Sequence, residues 1–134
     1  MRERILIMTC EPSQVELYEL ALKPKGFVTR TVSRRGRMGP SGDWWTPQEG
    51  MIENILDFGP RIIICDLGTY TDLGAVLQFL IDLRKAAGKD KPSKYLFTFP
   101  SDFYPHGYEF LVDAWLLSPV DFSEFFKTIE ELLA

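Results

Sequence analysis

Six polar side chains stand at or near the ends of short apolar segments in this sequence. A carboxylate among them could help to hold a divalent cation or bind the amides of a loop. The hydroxyl and thiol groups would supply hydrogen bonds but no charge. The six residues are Thr9, Cys10, Glu11, Asp66, Thr98 and Ser118.

The apolar segments that precede these residues are typical of buried strands. Residues 5–8 and 62–65 are continuously apolar, as expected for strands covered on both faces of a parallel sheet. Residues 95–99 and 114–117 are also short and mostly apolar, and 27–32 alternates in the way of a half-buried or edge strand. The sequence therefore predicts five strands.

Segments with helical periodicity lie between the predicted strands. They cover 12–23, 47–58, 73–83 and 122–133, and 108–112 could supply a further short helix. In the second segment, Thr46 is a plausible N-cap before Pro47, and Gly59-Pro60 stops the helix. Asp121 or Ser123 can cap the last one. Strands that alternate with helices predict a doubly wound α/β fold, a five-stranded parallel sheet with helices on both faces and the flavodoxin-like order 2-1-3-4-5. We expect one domain over 1–134, with an extended loop at about 33–46.

Composition narrows the class of protein. The 134 residues are 46% hydrophobic, which is enough apolar material for a core, and the net charge of −4 gives no reason to expect nucleic acid or an anionic membrane. The four arginines of 30–37 are an exception, since they either bind an acidic partner or form a solvated loop. No apolar stretch is long enough to span a bilayer, so we expect a cytoplasmic protein.

The order of these motifs resembles the receiver domain of response regulators in two-component signalling. Glu11-Pro12 after the first strand looks like a receiver start, and 60–67 looks like the third strand ending in its phosphoacceptor, here Asp66. Thr98 matches the threonine of strand four, and Trp115 stands where receivers have a switching aromatic residue. The resemblance implies that Asp66 is the phosphoacceptor candidate and that Thr98 and Trp115 are switch-like positions.

The sequence departs from the receiver pattern at three positions. Receivers carry two acidic residues after strand one that help to hold Mg²⁺, and Thr9-Cys10 stands there instead. Ser118 replaces the lysine that pairs with the phosphoryl group, so that positive charge is lost. Glu11 and Asp66 remain as ligands for, at most, a weak Mg²⁺ site. These changes remove much of the charge stabilisation that phosphoryl transfer needs, and they indicate a pseudo-receiver.

Several of these residues also have simpler interpretations. Asp66 either keeps a regulatory role or caps a strand end, and Trp115 is either a switch or a packed tryptophan. Trp44 and Trp45 either fold back over the sheet or form a contact surface. Cys10 and Cys65 lack metal-ligand spacing, so two reduced thiols are expected rather than a metal site or redox pair.

The predicted function is a signalling module that acts by protein contact rather than as an enzyme. Its partner would be a sensor kinase, a downstream signalling protein or a second copy of the chain, and no direct contact with nucleic acid or membrane is expected. The alternative is a working phosphorelay receiver that uses Asp66 with an atypical metal site. A flavin-binding protein is disfavoured, because the segment after strand one contains no glycine to cradle a phosphate.

Overall fold

A computed structural model describes residues 2–9, 12–32, 50–67, 73–89, 93–99 and 107–134. The predictions for Cys10, Glu11, Trp44, Trp45, the loop at about 33–46 and the helix start at Thr46-Pro47 lie outside these residues. Among the described residues, no helix combines the length and apolar composition that crossing a membrane requires.

Five parallel strands form one sheet in the order β2-β1-β3-β4-β5, which confirms the predicted flavodoxin-like topology. The three central strands β1, β3 and β4 coincide with apolar runs of the sequence, because a strand covered on both faces buries nearly every side chain. The edge strand β2 alternates and is half-buried. The strands are β1 Arg4–Thr9, β2 Val28–Val32, β3 Ile62–Asp66, β4 Lys94–Phe99 and β5 Ala114–Leu117.

Among the described residues, four α-helices connect or follow the strands: α1 Pro12–Leu22, α2 Met51–Phe58, α3 Leu73–Ala87 and α4 Phe122–Leu133. Asp121 caps α4, since its side chain accepts hydrogen bonds from the backbone N–H groups of Ser123 and Glu124. Gly59 ends α2 in the left-handed conformation (φ 65°), and its N–H donates to Ile55.

The helix predicted over 108–112 is instead a 3₁₀ turn, Glu109–Leu111. Tyr108 at its start provides no side-chain cap, and Val112 is already extended (φ −94°, ψ 103°). A segment this short gains too few hydrogen bonds to form a stable α-helical turn before the chain enters β5. A second 3₁₀ turn, Lys23–Lys25, follows α1.

The helices cover the two faces of the sheet and make two apolar clusters. On one face, α2 and α3 pack on alternate strand residues such as Leu6, Ile63 and Phe97. On the other face, residues of α1 and α4 pack on the intervening strand residues, including Ile64 and Leu116. The α1 and α4 side chains in this second cluster include Tyr18, Leu22, Phe125 and Ile129.

Candidate functional site

The strand register places Thr9, Asp66 and Thr98 side by side at the carboxyl edge of the sheet. Thr9 of β1 pairs with Asp66 of β3, and Asp66 pairs with Thr98 of β4. The three side chains are 2%, 7% and 0% exposed, so a charged group and two hydroxyls are held almost out of contact with solvent. Buried polar groups of this kind need hydrogen-bond partners within the protein.

Hydroxyl groups satisfy both oxygens of the Asp66 carboxylate. Thr9 Oγ1 donates to Oδ2 at 2.8 Å, and Thr98 Oγ1 donates to Oδ1 at 2.5 Å. The backbone N–H of Leu67, directly after β3, donates to the Thr98 carbonyl at 3.0 Å. Asp66 is thus enclosed by its two neighbouring strands, as an acceptor of hydrogen bonds rather than as a free carboxylate.

Tyr18 of α1 supplies a third hydroxyl at this site, and it was not among the candidate residues that the sequence indicated. Its hydroxyl lies 3.4 Å from Asp66 Oδ1 and 3.3 Å from Thr98 Oγ1, and the residue is 2% exposed. Burial, together with the charge of Asp66, raises the pKa of Tyr18 well above its ordinary value, so the hydroxyl stays protonated and able to donate. The available signal was that a buried tyrosine needs a polar partner for its hydroxyl.

The ring of Tyr18 connects the polar site to α4. Its centroid lies 5.6 Å from that of Phe125, which is fully buried and contacts Phe122 and Phe126 at 5.6 Å each. Tyr18 therefore contributes to the apolar cluster between α1 and α4 with its ring, and to the Asp66 site with its hydroxyl.

Two other predicted site residues, Ser118 and Trp115, lie on or just after β5. Ser118 follows the strand, its N–H donates to the Phe99 carbonyl, and its peptide bond with Pro119 is cis. Trp115 pairs in register with Phe97, two strands away from Asp66, and is 48% exposed. A switching role for Trp115 or Thr98 remains a prediction.

The described residues around Asp66 do not fit a Mg²⁺ site. Mg²⁺ prefers carboxylate, carbonyl and water oxygens, whereas Thr9 and Thr98 surround this carboxylate with hydroxyls that donate hydrogen bonds to it. Within the described part of the chain, no three His, Cys, Asp or Glu side chains come together as a metal site would require. The predicted ligand Glu11 lies outside that part.

Cys65 is a buried thiol in β3, as predicted. It is 1% exposed, and its S–H lies 3.8 Å from the carbonyl oxygen of Ile63. Burial raises the pKa of the Cys65 thiol, which keeps it in the unreactive protonated form.

No protein-family model matches the sequence, and no curated protein matches it. Solved structures match the fold over its full length. The Vibrio cholerae chemotaxis protein CheY4 superposes with a TM-score of 0.70 at 14% identity, over 98% of this chain and 99% of that one. A receiver domain from Bermanella marisrubri gives 0.70 at 16% identity, over 100% of both chains.

A third similar structure is the response regulator TrrA, solved in complex with the histidine kinase ThkA. It gives a TM-score of 0.65 at 19% identity and covers 98% of this chain and 99% of that one. At such identities the likeness is one of fold. The chain has the fold of CheY-like response-regulator receiver domains, as the sequence motifs predicted.

Proposed function

We propose that this chain is a receiver-like signalling module that acts by contact with other proteins and does not carry a phosphoryl group on Asp66. The enclosure of Asp66 carries the proposal. A phosphoacceptor carboxylate must present one oxygen to its donor, and here Thr9, Thr98 and Tyr18 engage both oxygens of a side chain that is 7% exposed.

The charges around Asp66 support the same interpretation. Phosphoryl transfer depends on groups that neutralise the charge of the transferred phosphate. Thr9 supplies a neutral hydroxyl where receivers have an acidic residue, and Ser118 supplies a neutral hydroxyl where they have lysine. Asp66 then acts as a structural acceptor that joins β1, β4 and α1 to the end of β3.

Without phosphoryl transfer, this fold can still act by contact with other proteins. One structural neighbour supports a protein partner. TrrA was solved bound to a histidine kinase. The present chain also exposes large apolar side chains, among them Phe110 at 65% and Trp115 at 48%, which is typical of contact surfaces when such residues cluster.

The test is the intact mass of the chain after incubation with Mg²⁺ and acetyl phosphate, and separately with a histidine kinase and ATP. We expect no gain of phosphoryl mass in the wild type. A receiver domain that accepts phosphate from the same donor serves as the positive control. A phosphoryl-sized gain in the wild type that is absent in Asp66→Asn would overturn the proposal and favour a working phosphorelay receiver.

A further inference from the structure

Two arginine side chains converge on one buried aromatic ring at the end of α2. The guanidinium carbon Cζ of Arg30 lies 4.5 Å from the centroid of the Phe58 ring, and that of Arg4 lies 5.8 Å from it. Phe58 is 6% exposed, whereas both arginines are exposed. Cation–π contacts thus hold two positive charges at the protein surface. We call these three residues the Phe58 site.

The register of the sheet brings the two arginines to the same ring. Arg30 of β2 pairs with Leu6 of β1, and Arg4 lies two residues before Leu6. Residues two apart on a strand, and residues paired across neighbouring strands, point to the same face of a sheet. Leu6 belongs to the apolar cluster under α2 and α3, so both arginines lie on the face that α2 covers. There they meet Phe58, the last residue of α2.

Neither arginine has a carboxylate partner among the described residues. Arg4 donates one hydrogen bond, from Nη1 to the Phe58 carbonyl at 2.8 Å, and the contact of Arg30 is with the ring. Arg84 of α3, by contrast, lies 2.6 Å from the carboxylate of Asp113. The Phe58 site therefore carries two positive charges that the described part of the chain does not neutralise.

The ring contacts do not consume the N–H groups of the two guanidiniums. A guanidinium has five N–H donors in one plane, and a carboxylate can accept two of them side by side. Arg4 uses one of its donors on the Phe58 carbonyl. Since the ring already restrains both side chains, less conformational freedom is lost when a carboxylate binds them. The site is thus prepared for anionic groups.

The sequence continues this positive charge directly after β2. Arg34, Arg35 and Arg37 follow there, outside the described residues. Like charges close to one another repel, and an acidic partner removes that repulsion. A run of arginines is more than a small anion such as phosphate can neutralise. A nucleic acid would also face the net charge of −4 of the whole chain, so a short acidic protein segment is favoured.

We propose that the Phe58 site binds an acidic segment of a partner protein, with one carboxylate on each of Arg4 and Arg30. Clusters of arginine are a recurring means of binding acidic motifs, and the planar guanidinium gives such pairs geometry as well as charge. The inference rests on the proposed function in taking protein contact as the output, and it adds the surface and the chemistry of the partner. Arg4 begins β1 and Thr9 ends it, so this surface lies at the opposite edge of the sheet from Asp66.

The test is the fluorescence anisotropy of a fluorescein-labelled peptide of about eight glutamates, titrated with the full chain at low salt. A glutamine peptide of the same length is the control for the probe. We expect the glutamate peptide to bind, the glutamine peptide not to bind, and the affinity to fall as salt is added. Arg4→Gln and Arg30→Gln should each weaken binding about fivefold.

Lys127→Gln is the matched control for net charge. Lys127 is an exposed residue of α4, which packs on the opposite face of the sheet, and its substitution removes one positive charge as well. This variant should bind the glutamate peptide like the wild type. Arg30→Lys keeps the charge but loses the planar set of donors, so we expect binding to weaken by about two- to threefold. Circular dichroism checks that each variant folds.

Equal binding of the two peptides, or Arg4→Gln and Arg30→Gln variants that bind like the wild type, would refute the inference. An equal loss in Lys127→Gln would also overturn it, because net charge alone would then attract the peptide. Competition by single-stranded oligothymidylate at a lower concentration than unlabelled glutamate peptide would assign the site to nucleic acid instead. Self-association in sedimentation velocity that Arg30→Gln abolishes would make a second copy the occupant, against the proposal.

The failure of this inference and that of the proposed function are distinguishable. Loss of peptide binding leaves the intact-mass result for Asp66 unchanged, because the Phe58 site takes no part in phosphoryl transfer. A phosphoryl gain on Asp66 together with peptide binding that depends on Arg4 and Arg30 would overturn the proposal for Asp66 and support the one for the Phe58 site.

Discussion

The carboxyl edge of the sheet at Asp66 and the outer edge strand β5 differ in how far their side chains are buried. At the first, a carboxylate and three hydroxyls are buried and bonded to one another. At the second, Trp115 and Leu117 remain half exposed on a strand with no guarding charge. In many proteins the carboxyl edge of such a sheet is the accessible, reactive one. Here the closed polar site favours a structural role for Asp66, and the exposed apolar edge favours contact.

This contrast predicts that substitutions at the Asp66 site change folding stability, whereas substitutions of the exposed β5 residues leave it nearly unchanged. The largest effect is expected for Tyr18→Ala. It removes a buried ring from its contact with Phe125 as well as the hydroxyl, and should lower the free energy of unfolding by about 3–5 kcal/mol. Tyr18→Phe keeps the ring, and we expect a loss of about 1 kcal/mol. Urea denaturation measures both.

Leu117→Ser is the comparison for Tyr18→Ala, and its free energy of unfolding is measured in the same way. Because Leu117 is 47% exposed, its substitution should change unfolding free energy by less than about 0.5 kcal/mol. If Leu117→Ser cost as much as Tyr18→Ala, the exposed side chains of β5 would belong to the core, and the contrast between the two regions would fail.

Thr98→Val is expected to have the next largest effect. The two side chains have similar shape, so the change removes mainly the hydroxyl that donates to Asp66 Oδ1 and lies 3.3 Å from Tyr18. A buried carboxylate oxygen that loses a hydrogen-bond donor should lower the free energy of unfolding by about 1–3 kcal/mol. Thermal unfolding of the variant measures this cost.

Thr31→Val makes the same chemical change at a less buried hydroxyl, which donates to Glu19 at 3.0 Å. Its cost should be smaller, because water can replace the lost hydrogen bond. Equal losses for Thr31→Val and Thr98→Val would mean that the hydrogen bonds of the Asp66 site contribute nothing beyond an ordinary surface bond.

A smaller effect than that of Thr98→Val is expected from pH, near pH 11. Burial and the charge of Asp66 raise the pKa of Tyr18 in the folded chain, while the unfolded chain ionises near pH 10. Below pH 10, Tyr18 is protonated in both the folded and the unfolded chain, so its ionisation does not change the free energy of unfolding. Above pH 10 only the unfolded state loses the proton, so stability falls as pH rises, by up to about 1.4 kcal/mol per pH unit for this group.

Tyr18→Phe should reduce this alkaline loss, and urea denaturation between pH 9 and pH 11 would measure it. Burial also raises the pKa of Tyr95, so Tyr95→Phe should remove a further part of the fall in unfolding free energy with pH. A wild-type slope that persists undiminished in Tyr18→Phe would show that the Tyr18 hydroxyl is open to solvent and that the Asp66 site is not closed.

Much of the fold could be predicted because its signals are local. The continuous apolar runs at 5–8 and 62–65 identified strands buried on both faces, and the alternation of such strands with amphipathic segments gave the topology. Capping by Asp121 and the end of α2 at Gly59 also followed from residue type. The 3₁₀ turn Glu109–Leu111 was mistaken for a helix, because periodicity over five residues does not separate the two.

The sequence by itself determined the order of elements, the place of Asp66 at the end of β3, and the neutral residues Thr9 and Ser118 near it. Only the tertiary structure decided that the Tyr18 hydroxyl meets Asp66 across 48 positions of chain, and that Trp115 faces solvent instead of the site. The physical reason is that apolar periodicity reports which face of an element is buried. The partner of a buried hydroxyl depends on strand register and helix rotation, which are set only when the elements pack.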